Sequence, residues 1–141
     1  MIPTNEYTNV RYLVDDVPAA IDFYTGPLGF TLNSHPAPPF ADVVLGSLRL
    51  LLSGPASSGA RATPGDVAAA GSGRIQLIVT DLDAEIARLR EARVDFRSDA
   101  VTGPGGRQIL IADPAGNLIE LFQPAADRRE GQIPAVSADG V

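Results

Sequence analysis

The residues in this chain that could do chemistry are few, and most sit in alternating pairs. Asn9 and Arg11 flank Val10, Arg74 and Gln76 flank Ile75, and a lone acid, Glu120, stands inside the apolar run of "DPAGNLIELFQP". In a strand, successive side chains point to opposite faces, so each pair shares a face and Glu120 shares one with Leu118 and Phe122. A carboxylate on an apolar face requires a partner, and guanidinium and amide groups are donors suited to it. Such groups suit hydrogen bonding to anionic or carbonyl oxygens, or proton transfer beside a carbonyl with Glu120 as base and arginine as electrophile.

What the chain lacks narrows the chemistry. It has no cysteine, so thiolate nucleophiles, thiolate metal sites and disulfides are excluded. All eleven basic residues are arginine, which excludes a lysine Schiff base. The single histidine, His35, would have to serve any Ser-His-Asp relay, and no multi-histidine metal site can form within one chain. His35 precedes Pro36 in "NSHPAPPF" and reads as an exposed loop residue. The glycines of "TGPGGRQ" lack the strand-to-helix setting of a phosphate loop, so Arg107 there meets solvent or a ligand. Phe23 and Tyr24 lie at helical spacing near Ile21 and read as packing residues.

These residues must be positioned by a repeated frame. "NVRYLVDDVPAAIDFYTGPLGF" (9–30) and "RIQLIVTDLDAEIARLREARVDF" (74–96) align with a period of 65 residues. Each copy begins as an alternating strand, passes an aspartate suited to N-capping (Asp16 or Asp81) and enters a helix. In the second copy acids lead the helix and arginines trail it, as the helix dipole favours. Three strand-like segments follow each helix: "FTLNSH", "FADVVL" and "LRLLLS", then "DFRS", "RQILIA" and "NLIELFQ". The expectation is an α+β fold of two βαβββ modules, 8–53 and 74–124, in a single domain 1–124. Residues 54–73 read as a flexible Gly/Ala/Ser/Pro linker and 125–141 as a flexible tail.

At 141 residues the chain can bury a substantial core, and its 45% apolar content excludes a disordered protein. No apolar run approaches a membrane helix, and the first residues lack the features of a signal peptide, so a cytoplasmic protein is expected. A net charge of −6 argues against nucleic-acid and anionic-membrane partners.

The duplicated "V-x-D" entry, "FYTGPLGF" and the terminal "DPAGNLIEL" together resemble the vicinal oxygen chelate superfamily, which holds glyoxalase I, extradiol dioxygenases, fosfomycin-resistance enzymes and bleomycin-resistance proteins. The resemblance spans about residues 8–124. It implies that the modules curl into a cup where four strand positions converge, usually as a divalent metal site. Carried over by position, the four are Asn9, Leu50, Arg74 and Glu120, with Leu50 placed by matching Gly46 to Gly116. Leucine and a protonated arginine cannot ligate a metal, so the resemblance implies a metal-free, cofactor-free cup with Arg74 facing Glu120. Asn9, Arg11, Leu50, Leu52, Arg74, Gln76, Glu120 and Phe122 would then line a small-molecule site, with Glu120 and Arg74 the catalytic candidates if the protein is an enzyme. A carboxylate held by arginine is a weakened base, which ranks binding above isomerase, lyase or dioxygenase activity. Family members commonly pair, so a homodimer is expected.

Overall fold

The computed structural model describes residues 7–62 and 73–126. Contacts divide the chain into two units, Met1–Gly73 with Ala112–Asn117, and Arg74–Ile111 with Leu118–Val141.

The first unit runs β1 (Thr8–Leu13), α1 (Val17–Thr25), β2 (Thr31–Ala37), β3 (Phe40–Leu45), β4 (Leu48–Ser53) and a short α2 (Ser58–Arg61). Its sheet has the order β1-β4-β3-β2, with β1 parallel to β4 and the other pairs antiparallel. The helix α1 starts where expected because Asp16 caps it, accepting from the Ala19 amide at 3.0 Å, and Pro18 lies in the first turn, where an amide proton is not needed. It packs on the sheet face carrying Ala41, Val43, Leu50 and Leu52, all fully buried with Ala20 and Tyr24. Each fully buried leucine of this kind stabilises the fold by roughly 1.5–3 kcal/mol.

Within the same unit, Asp113 and Asn117 tie the "DPAGN" turn to α1 and β1. Tyr24 donates to Asp113 Oδ2 at 3.0 Å, and Asn117 Nδ2 donates to the Leu13 carbonyl at 2.9 Å. The remaining Asp113 oxygen accepts from the Ala115 and Asn117 amides. Burial, then the charge and bond of Asp113, push the Tyr24 phenol up, so it remains a donor. Tyr24 is therefore a packing residue, as expected, that also carries a buried hydrogen bond.

The second unit runs β5 (Arg74–Ile78), α3 (Leu82–Glu91), β6 (Asp95–Phe96), β7 (Val101–Gly103), β8 (Gly106–Ala112) and β9 (Leu118–Pro124). The sheet order is β5-β9-β8-β6, with β7 paired to β8. Asp81 caps α3 as Asp16 caps α1, accepting from the Ala84 amide at 3.1 Å. Asp83 and Glu85 open the helix, and Arg88 and Arg90 close it.

Three differences from the expectation follow from local chemistry. The "TGPGG" segment is part of a hairpin, with Gly103 opposite Gly106. Gly106 lies at φ 148°, and a Cβ there would overlap the Gln123 carbonyl, so only glycine lets β8 begin against β9. The start of the supposed linker is structured: Ser57 is buried, caps α2 through the Ala60 amide at 3.2 Å and donates to the Gly54 carbonyl at 2.7 Å. The rest of that segment, 63–72, and the tail from 127 on lie outside the described residues. His35 is exposed, but on β2, an edge strand that tolerates Pro36 because one side of it needs no partner. Among the described residues, no helix is long and apolar enough to cross a membrane.

Candidate functional site

In the second unit, parallel pairing of β5 and β9 sets Arg74 opposite Leu118, Gln76 opposite Glu120 and Ile78 opposite Phe122. Paired residues project from the same face, so Arg74, Gln76, Glu120 and Phe122 share one wall, as the alternation implied. Glu120 is only 6% exposed and both of its oxygens are engaged. Arg74 Nε donates to Oε1 at 3.1 Å and Gln76 Nε2 to Oε2 at 2.8 Å. This resolves the placement of an acid on an apolar face: its charge and each of its two oxygens are met by neighbours on the adjacent strand. Arg74 remains part-exposed, and among the described residues no second carboxylate pairs with it.

In the first unit, Asn9 and Arg11 are exposed on one face of β1, as expected. Leu50 and Leu52 are not on that face. The register pairs Asn9 with Arg49, Val10 with Leu50, Arg11 with Leu51 and Tyr12 with Leu52. Leu50 and Leu52 therefore face α1 with Val10 and Tyr12 and belong to the core. Pairing Arg11 with Leu51 repeats, one period earlier, the pairing of Gln76 with Glu120. The first-module counterpart of Glu120 is Leu51. Matching Gly46 to Gly116 misses this because Glu120 follows its glycine by four residues and Leu51 follows by five. A one-residue slip turns every side chain of a strand to the other face.

The corrected face carries a polar cluster that the sequence reading missed. Asp42 pairs in register with Leu51, and Val44 with Arg49. The Asp42 carboxylate is fully buried, and it accepts from Arg49 Nε at 2.6 Å, from Asn33 Nδ2 at 2.7 Å and from Ser34 Oγ. Burial pushes its carboxyl up, but the bonds from Ser34, Arg49 and Asn33 and the charge of Arg49 outweigh that and hold it below the usual carboxylate value. Nearby on this face, Arg11 Nη1 donates to Ser53 Oγ at 2.8 Å. Alternation in "FADVVL" and "LRLLLS" sets Asp42 and Arg49 each on one face of its own strand, and the pairing of β3 with β4 makes those faces one.

Arg107 is not left to solvent alone: its Nη2 donates to the exposed Asp83 at 3.0 Å. The positions where the resemblance implies metal ligands hold Asn9 and Leu51 in the first unit and Arg74 and Glu120 in the second. Leucine has no donor atom and both Glu120 oxygens are taken, so this set does not fit a divalent metal. Among the described residues, no three His, Cys, Asp or Glu side chains gather at one point.

Comparison with known proteins bears on the family. A family model described as Glyoxalase/Bleomycin resistance protein/Dioxygenase superfamily matches residues 7–121. Among solved structures, TnmS3, an antibiotic binding protein from a Streptomyces species, is 29% identical, with a TM-score of 0.66 over 89% of this chain and 100% of its own. A glyoxalase/bleomycin resistance protein/dioxygenase from Nocardioides is 28% identical, with a TM-score of 0.67 over 94% of this chain and 92% of its own. A lactoylglutathione lyase from Agrobacterium tumefaciens, 24% identical with a TM-score of 0.68 over 86% of this chain and 96% of its own, shares the fold. No curated protein sequence matches the chain.

Proposed function

We propose, from the premise that this chain belongs to the glyoxalase/bleomycin resistance protein/dioxygenase superfamily, that it binds a small organic molecule without a metal. The observation that carries this reading is the state of Glu120. At a position where the resemblance implies a metal-ligating acid, its two oxygens are engaged by Arg74 and Gln76. The guanidinium bonds Glu120 through Nε and stays part-exposed, which leaves it able to meet a carbonyl or anionic oxygen while Glu120 holds it in place. Leu118 and Phe122, half-buried on the same face, supply apolar contact area beside these few polar groups, a combination suited to organic ligands. The Streptomyces relative is an antibiotic binding protein, which supports binding as the function. The alternative, Glu120 as a catalytic base, is weaker because both oxygens already accept hydrogen bonds.

The reading includes a homodimer. β1 and β5 end their sheets, and Ile78 on β5 is 56% exposed beside Phe122, an edge and an apolar side chain of the kind a second copy covers.

A neutral aromatic amide, 1-naphthamide, tests the binding wall by amide NMR titration. We expect saturable shifts centred on Arg74, Gln76 and Glu120, and roughly tenfold weaker binding for Glu120→Gln, which removes the charge that orients Arg74. Guanidine denaturation should place Glu120→Gln within about 1–2 kcal/mol of the parent protein, since Arg74 is left with access to water. No saturable shift, or shifts confined to other strands, would remove the reading.

A further inference from the structure

We propose that the open face of the first unit receives an organic carboxylate on Arg11, and that Gly59 is the residue that sets this guanidinium in place; the inference rests on the small-molecule reading above. A charge inventory of the strand faces singles out Arg11. Arg49 is neutralised by Asp42 at 2.6 Å and Arg74 by Glu120 at 3.1 Å. Among the described residues, no carboxylate lies within ion-pair distance of Arg11, whose Nη1 is instead held by the neutral hydroxyl of Ser53. Arg11 is thus braced and exposed, with no carboxylate among the described residues to compensate it.

The brace has a second part. The turn of helix α2 lies against the guanidinium so closely that a Cβ on Gly59 would overlap Arg11 Nη1 and stand 2.6 Å from its Cζ. Gly59 is the second residue of a four-residue turn of helix, and glycine has a lower helix propensity than alanine, so helix stability does not call for it here. The arginine does. Ser57, buried and bonded to the Gly54 carbonyl and the Ala60 amide, fixes the turn that presents Gly59. A planar guanidinium held between a strand hydroxyl and a helix backbone has lost the freedom that normally weakens surface arginines, and its fork matches a carboxylate. One uncompensated cation matches a monoanion, which selects a carboxylate over a phosphate dianion.

The test compares 1-naphthoate with the neutral 1-naphthamide on the full chain, by amide NMR titration of the parent protein, Arg11→Gln and Gly59→Ala. We expect the carboxylate to bind the parent about tenfold more tightly than the amide. Both variants should lose that preference while still binding the amide, and Gly59→Ala should keep its unfolding midpoint, because the atoms a Cβ would meet belong to the movable Arg11 side chain. A preference retained in Arg11→Gln overturns the carboxylate site. One lost in Arg11→Gln but retained in Gly59→Ala overturns the role of Gly59. Equal affinity of the parent for both probes overturns this inference and leaves the small-molecule reading standing, whereas binding of neither removes both.

Discussion

Asp42 shows how much one residue can hold in this fold. A fully buried carboxylate is costly unless its charge and lone pairs are met, and Arg49, Asn33 and Ser34 meet them. Its carboxyl lies below the ordinary value of 3.8 in the folded chain. A folded value below the unfolded one means the unfolded state binds the proton first as pH falls. The stabilisation is therefore complete above the unfolded value and is lost as pH drops through the folded one. Asp42→Asn should cost roughly 2–3 kcal/mol near neutral pH, less than a fully buried pair because Arg49 keeps some access to water. That difference should shrink towards zero in strong acid. Urea denaturation of both proteins across this range checks it; a constant gap at all pH values would show that packing, and not charge, sets the cost. In sequence, Glu120 and its alternating partners were readable because the acid interrupts an apolar run. Asp42 was not, because "FADVVL" gives no sign of which donors on the neighbouring strands surround it.

At the scale of elements, the repeat carried most of the fold. Two aspartates at equivalent positions cap two helices, and β3, β4, β8 and β9 lie within a residue of where alternation and turn residues set them. Register was the part that the sequence could not supply. "LRLLLS" alternates Leu48, Leu50 and Leu52 with Arg49, Leu51 and Ser53, but its pattern does not say how it aligns with the neighbouring strand; hydrogen bonding to β1 decides it. The same is true of 54–62, where glycine, serine and alanine suggest a loose linker and a serine cap yields a turn of helix. The register has a direct consequence for stability. Leu50→Ala opens a cavity in the core and should cost about 2–5 kcal/mol, whereas Leu51→Asn, on the polar face, should cost no more than about 1 kcal/mol. Guanidine denaturation of the two variants separates them, and the reverse order would restore Leu50 to the open face.

For the whole molecule, the family is set by the match over residues 7–121, while the chemistry is set by which side chains stand at the family's positions. Here an arginine and a leucine occupy positions where the resemblance implies metal donors, and the acid among them, Glu120, is held by Arg74 and Gln76. The proposed function thus rests on a site that works through side-chain hydrogen bonds alone. Native mass spectrometry of protein purified without chelator tests this most directly, since it weighs chain, partner and metal together. The expected species has twice the chain mass and no stoichiometric divalent metal. One zinc, nickel, iron or manganese per chain would contradict the metal-free site.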